Sequence, residues 1–456
     1  MRRELLAAGG VSALLLASAG AASGETLPEA LIDTYLTNPQ ILAERANLRA
    51  ADEGVPQALS GWRPTVVFTG AAGAQRIENQ PSSQIAPNSK TPPKTVDLNI
   101  SEPLYSGGRT VALTAQAEKT IEAERARNIA TEETVFLSVA QAYLDVVRDQ
   151  ATLDLSINNE QVLRRQLEAT NDEFRVGTVT RTDLAQSEAR LAAATASRLQ
   201  AAGNLQVSRA NYERAVGHTP PDKLEQPNIR PVLPANREEA ISLATFKNPN
   251  VIAAIYTEDA ARDAVDATRD QLLPTIALVG DINRGMETVV IGHDVTTASV
   301  IARMTVPLYE GGNIYSQTRQ AVEVVGQRLG QTDDARRAAI QGATQAWEQI
   351  VSGRAQIVSL QSTIEAAEIA LEGVRQEQTV GSRTVLDVLN AEQELFTDRV
   401  QLVTAQHDLA VAEFTLSQQV GSLTAADLRL PVKLYDVDKH YRSVREKWLG
   451  FGAKDE

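Results

Sequence analysis

The sequence predicts a mainly α-helical protein with a membrane β-barrel portion, built from two structural repeats that each hold a β-hairpin and long antiparallel helices. Three observations predict it: one unit is written twice, long proline-free stretches carry a seven-residue apolar repeat, and short stretches near the front of each copy alternate apolar and polar residues. The period changes from about 3.5 to 2 and back within each copy, so helix and strand share one unit.

The repeat is visible residue by residue. Asn38-Pro39 recurs as Asn248-Pro249, Pro64-Thr65 as Pro274-Thr275 and Gly70 as Gly280, all 210 positions apart. Pro103-Leu104-Tyr105 recurs as Pro307-Leu308-Tyr309, Gly107-Gly108 as Gly311-Gly312, Val176-Gly177 as Val380-Gly381, and Asp183 as Asp387, now 204 apart. The offset changes once, so the first copy carries six extra residues between Gly70 and Pro103, as an exposed loop tolerates. The first repeat is read over 24–217 and the second over 237–421. Between them 218–236 holds five prolines and reads as an extended linker. Residues 422–456 form a polar C-terminal tail with no counterpart, and 450–456 are expected to be disordered.

Ahead of the repeats, 1–23 read as a signal peptide: Arg2 and Arg3, an apolar stretch from Leu5 to Ala17, then small residues at Ala19, Ala21 and Ser23. No later run is long and apolar enough for a membrane helix, so a membrane crossing would need strands. The chain holds no cysteine, which excludes disulfides and a lipidated cysteine. Its formal charge of −14 argues against nucleic acid as a partner.

Strands are expected over about 64–78, 94–105, 274–286 and 295–308. Val96, Leu98 and Ile100 interleave with Asp97, Asn99 and Ser101, and Ala298, Val300, Ala302 and Met304 interleave with polar neighbours, with Ile301 breaking the pattern once. Such alternation suits a soluble half-buried hairpin or an outer-membrane strand. Four strands are too few to close a spanning barrel, so a barrel would need several chains.

Long helices are expected over about 106–175 and 180–215, and again over 313–379 and 384–419. About 65 residues of helix span on the order of 100 Å, and a helix that long needs a partner along its length. Val388, Leu395, Leu402, Leu409 and Leu416 recur every seven residues, with Leu389, Phe396, Val403 and Ala410 beside them. The first copy keeps the register with Leu184, Leu191, Leu205 and Tyr212, interrupted by Arg198. That pattern predicts coiled-coil-like packing.

The turns joining these helices read Val176-Gly177-Thr178-Val179-Thr180-Arg181-Thr182-Asp183 and Val380-Gly381-Ser382-Arg383-Thr384-Val385-Leu386-Asp387. Each glycine suits the left-handed residue that ends a helix. Thr180 and Thr384 suit N-caps, with Asp183 and Asp387 in the acidic capping-box position.

With its doubled unit, its two Pro-Leu-Tyr-x-Gly-Gly segments and its two Val-Gly-x-x-x-x-x-Asp turns, the chain resembles the TolC family of outer-membrane export proteins, above all its type I secretion branch. The resemblance covers nearly all of Leu27 to Gly421. It implies a homotrimer in the outer membrane of a Gram-negative bacterium, extending into the periplasm. Three sets of four strands would form a twelve-strand barrel in outer-membrane lipid, above an α-helical tunnel. It also implies a periplasmic adaptor (membrane fusion protein) docked on turn residues Val176, Gly177, Val380, Gly381 and Ser382, and an inner-membrane ABC transporter or proton-driven pump. In the family the periplasmic mouth is latched by polar links and lined by acidic rings. Carried over, Asp183 and Arg383 match the linking pair and Asp387 the first ring. Gln378 stands where the family has a supporting tyrosine, and Asn390 stands at the second ring position. The copies differ at this mouth, since the residue aligned with Arg383 is Val179.

Export duct is therefore the expected function, with type I protein secretion ahead of multidrug efflux, and a periplasmic helical scaffold or adaptor as the reading from another class. No enzyme is expected: neither a nucleophile motif nor a phosphate loop occurs, and His218, His293, His407 and His440 have no metal-ligand spacing. No cofactor is expected.

Overall fold

Two asparagine-proline pairs set the start of each half. Asn38 and Asn248 cap the helices that Pro39 and Pro249 open, each accepting from the backbone N–H two residues on at 2.9 Å. The same side chains donate to the ends of the long return helices, Asn38 to the Ala215 carbonyl at 3.2 Å and Asn248 to that of Gln419 at 3.0 Å. One residue type thus starts a helix and ties it to the far end of its own repeat.

The structure is a computed structural model that describes residues 25–78, 88–227, 229–289 and 291–452. The expected signal peptide, most of the loop expected around Asn79–Pro93 and the last four residues of the tail lie outside the described residues. The first repeat runs α1 (Leu27–Thr37), α2 (Pro39–Asp52), α3 (Gly54–Leu59), β1 (Thr65–Ala72), β2 (Gln75–Ile77), β3 (Ser89–Thr91), β4 (Lys94–Tyr105), α4 (Arg109–Arg175) and α5 (Arg181–Val216). The second runs α6 (Arg237–Lys247), α7 (Pro249–Arg269), β5 (Thr275–Met286), β6 (Asp294–Thr305), α8 (Asn313–Thr379) and α9 (Val385–Gln419), and the tail adds α10 (Val437–Val444). Mainly helical, with two repeats each carrying a hairpin and long antiparallel helices, the chain has the fold class its sequence predicts.

Two strands differ from expectation. The segment 64–78 divides at Gly73: β1 joins the main sheet while β2 pairs with β3 in a separate two-stranded ribbon. In the second copy β6 stops at Thr305, before Pro307, and leaves Leu308 and Tyr309 exposed. Their counterparts Leu104 and Tyr105 lie in β4, where a bulge after Pro103 absorbs the missing N–H.

The main sheet is antiparallel, in the order β1-β4-β5-β6, so the two hairpins form one sheet. Its register brings Phe68, Leu98, Ile282 and Ala298 into one row, and Val66, Ile100, Gly280 and Val300 into the next of that face. The opposite face carries Val67, Asn99, Asp281 and Ser299 in one row and Thr69, Asp97, Asn283 and Thr297 in another, with Asn283 donating to Asp97 at 3.4 Å. The apolar face is bare: Phe68 is 68% exposed and Val300 75%.

Below the sheet, α4 packs against α7 along its first half and α5 along its second, and α9 lies between α8 and α4. Among the described residues no helix is long and apolar enough to cross a membrane. The largest core sits midway down the helices. Leu27, Leu31 and Tyr35 of α1, Phe136, Val139 and Tyr143 of α4, and Leu205 and Tyr212 of α5 meet Leu224 of the linker and Leu423 and Leu430 of the tail. The second repeat's equivalent is built from Ala240, Ala244, Ala339, Ala343 and Ala346 with Val251, Ile350 and Leu416. The tail then runs back along the first repeat. The backbone N–H of Tyr435 donates to the Tyr35 hydroxyl at 2.9 Å, and His440 Nδ1 lies 3.0 Å from Asp52. The Arg45 guanidinium stacks on Tyr35 and Tyr435, 4.4 and 5.0 Å from the ring centroids.

Candidate functional site at the paired helical turns

At the end of the helices away from the sheet, two turns repeat the same hydrogen bonds. Gly177 (φ 81°) and Gly381 (φ 77°) take the left-handed conformation, and nothing lies within 4 Å of where a Cβ would stand. Beyond them the N–H of Thr178 bonds the Glu173 carbonyl at 3.0 Å, and that of Ser382 the Glu377 carbonyl at 2.9 Å. The hydroxyls of Thr178 and Ser382 donate to the same two carbonyls at 2.9 Å. Gln378 supplies its backbone carbonyl to Gly381 at 3.0 Å. These bonds satisfy the helix ends locally and leave Val176 and Val380 76% and 78% exposed at the tips.

The return helices begin with reciprocal caps. Asp183 accepts from the backbone N–H and hydroxyl of Thr180 at 2.9 and 2.7 Å, and Asp387 from those of Thr384 at 2.9 Å each. Hydrogen bonds from Thr180 hold the Asp183 carboxyl below the usual aspartate range. Those from Thr384, with the nearby Arg383 charge, do the same for Asp387. Both carboxylates are therefore committed anions at neutral pH.

Within one chain Asp183 and Arg383 do not pair. Asp183 is occupied by its cap, and Arg383 Nε donates to Glu377 at 3.0 Å, which raises the guanidinium's pKa further. The two turns are joined elsewhere. Arg190 of α5 donates to Asn390 of α9 at 2.8 Å, and Val385 and Leu389 of α9 pack against Leu163 of α4 and Ala194 of α5. Arg190 and Glu377 carry no sequence signal of their own, because both bonds arise from where separate helices lie. The second heptad stripe was the visible hint, since Leu389 belongs to it.

Among the described residues, one group has the residue types and spacing to hold a metal ion: Glu25, Asp33 and His218, in the midway core region far from the turns.

Comparison with known proteins follows the same lines. A family model described as "Outer membrane efflux protein" matches residues 32–218 and 240–422, leaving out most of the linker between the repeats. Outer membrane efflux protein BepC of Brucella suis is 32% identical over 456 residues, covering 99% of this chain and 98% of its own. Alkaline protease secretion protein AprF of Pseudomonas aeruginosa is 28% identical over 324 residues, 69% of this chain and 66% of its own. The crystal structure of the Campylobacter jejuni CmeC outer membrane channel superposes with a TM-score of 0.77 at 15% identity, covering 98% of both chains, a likeness of fold.

Proposed function

The chain belongs to the outer membrane efflux protein family, whose members are outer-membrane efflux and secretion channels extending into the periplasm, and from that premise we propose that it is the outer-membrane duct of a three-part export system. The supporting observation is the four-stranded sheet: the middle rows of one face are apolar and bare, those of the other are mostly polar, and both outer strands, β1 and β6, have a free edge. In lipid such edges must be paired. Three copies pairing β6 to the next β1 make a twelve-strand barrel, apolar outside and polar within. The long helices then line a tunnel across the periplasm, and the turns form its inner mouth.

At that mouth the exposed Val176-Gly177 and Val380-Gly381-Ser382 tips offer six small apolar contacts per trimer to a periplasmic adaptor, with an inner-membrane pump beyond it. Three Asp387 carboxylates, kept ionised by their caps, ring the axis and favour cations. Asn390, tied to Arg190, leaves no second acidic ring at its level. Because Asp183 and Arg383 have local partners in one chain, their latch belongs to the closed trimer, with Arg383 exchanging Glu377 for Asp183 of a neighbouring copy. An exposed pair of this kind contributes about 0–1 kcal/mol, weak enough for a docked partner to open.

The cargo is assigned to protein, carried by an ABC transporter, on the similarity to AprF and the absence of a lipidation cysteine. Multidrug efflux by a proton-driven pump is the second reading, favoured by the name of BepC. Deleting the gene decides between them: loss of specific proteins from the culture supernatant supports secretion, whereas an unchanged supernatant with raised drug sensitivity supports efflux. For the duct itself, Asp183→Ala and Arg383→Ala should each raise single-channel conductance in planar bilayers, and Asp387→Asn should lower cation selectivity. Unchanged conductance in both latch variants would refute the latch, and absence of any channel would refute the duct.

A further inference from the structure

Where the first repeat passes into the linker, three buried polar atoms without hydrogen-bond partners lie together: Glu25 Oε1, His218 Nε2 and the Tyr212 hydroxyl. Gly217, with φ 105°, ends α5 and swings His218 over α1, where Asp33 projects from the helix and Glu25 stands just ahead of it. His218 Nε2 is 3.3 Å from Glu25 Oε1 and 3.6 Å from Asp33 Oδ2, and the three ligand atoms all lie within 4.8 Å of one another. Atoms bound at about 2.0–2.2 Å around a tetrahedral ion stand roughly 3.3–3.6 Å apart, so two of the three separations already suit a shared ion.

The histidine is oriented for that role. Its Nδ1 faces the Thr219 carbonyl at 3.3 Å. A carbonyl only accepts, so Nδ1 carries a proton there, and Nε2, which faces the two carboxylates, is the nitrogen left to bind an ion. A backbone carbonyl behind one imidazole nitrogen is the usual outer support of a metal-bound histidine.

The surroundings hold the ligands in place. Fully buried Tyr212, its hydroxyl on the Glu25 side, sets its ring edge-on to His218 with centroids 6.0 Å apart. Tyr143 donates to the Glu25 and Glu225 carbonyls at 2.9 and 2.6 Å and fixes the backbone that carries Glu25.

We propose that Glu25, Asp33 and His218 bind one divalent transition-metal ion, for which Zn²⁺ is the probe, and that the ion staples the entry of α1 to the end of α5. One imidazole and two carboxylates suit Zn²⁺ or Mn²⁺; the imidazole disfavours Mg²⁺ and Ca²⁺, which take oxygen ligands. Three protein ligands leave a fourth position for water, within the neighbourhood of the Tyr212 hydroxyl. The staple is independent of the duct reading, because its readouts are binding and stability.

The test uses the full chain purified in detergent and stripped with a chelator. Zn²⁺ titrated calorimetrically should bind at one site per chain and raise the thermal midpoint by several degrees. Co²⁺ in its place should develop the visible absorption of a four-coordinate site. His218→Gln and Glu25→Gln should each weaken binding by about tenfold or more, while Asp387→Asn, at the far mouth, should leave it unchanged. Should either variant misfold, Asp33→Asn, at a half-exposed position, serves instead. No saturable Zn²⁺ binding, binding unaltered in these variants, or an equal response to Mg²⁺ would overturn the site and leave an ordinary histidine–carboxylate pair.

Discussion

Glu133 on α4 is only 1% exposed, and a carboxyl oxygen of it accepts the backbone N–H of Leu423 at 3.1 Å where the tail begins. Its neighbour Glu132 accepts that of Ala425 at 2.8 Å. Burial raises the Glu133 pKa to about 8, with Asp427 and Glu132 adding to the rise. In the unfolded chain the group titrates near its ordinary 4.5. The folded form thus holds a proton that the unfolded form releases between those values, and its contribution is full below the lower value and lost as pH rises through the upper. The thermal midpoint should fall by several degrees between about pH 5 and pH 8, and Glu133→Gln should flatten that slope. An identical pH profile in the variant would refute the assignment. Nothing local in the sequence marks Glu133, which lies in an acidic, helix-favouring run; it matters because residues 290 positions later fold onto it. The capping threonines are the opposite case, legible because cap and acid sit three residues apart.

Among elements, α9 shows how far periodicity reaches. Its two stripes are plain in the sequence, but the structure gives each a different partner. Val388 and Leu395 face α8 through Leu371, whereas Val385 and Leu389 face Leu163 and Ala194 of the other hairpin. The charged residues between them follow suit: Arg399 donates to Glu368 at 2.7 Å and Arg354 to Glu413 at 3.0 Å, both joining α8 to α9. Arg198, an interruption of the heptad, pairs with Glu160 of α4, which also accepts from Thr195 at 3.1 Å. Leu389→Ala should cost about 2–5 kcal/mol, seen as a lower urea midpoint, and should loosen the contact between hairpins. Leu402→Ala, in the same heptad array but outside the clusters that join the turns, should leave that contact intact when it is read by a disulfide probe placed across Arg190 and Asn390.

For the whole molecule, in the proposed trimer, the sheet decides how the protein meets the membrane. Val300 lies on the bare apolar face, and Thr297 on the polar face with Asp97 and Asn283. Arginine on a lipid-facing strand costs about 2–4 kcal/mol near the bilayer midplane, and much less on the lumen side. Val300→Arg should therefore sharply reduce the heat-resistant trimer recovered from outer membranes, while Thr297→Arg should leave its yield near normal. Equal losses, or none, would mean that the apolar face does not meet lipid.

The sequence by itself determined the duplication, the fold class and the family, because each depends on spacing along the chain: matching turns 204 residues apart, alternation of period two, and long stretches without proline. Only the tertiary structure decided which stripe meets which helix, how the tail returns along the first repeat, and that Asp183 and Arg383 keep separate partners within a chain. It alone brought His218 to Glu25 and Asp33 across more than 180 residues. The physical reason is range: helix caps, turns and periodicity are set by neighbours within a few positions, whereas ion pairs, buried carboxylates and ligand clusters depend on packing between segments whose sequence separation carries no record of their contact.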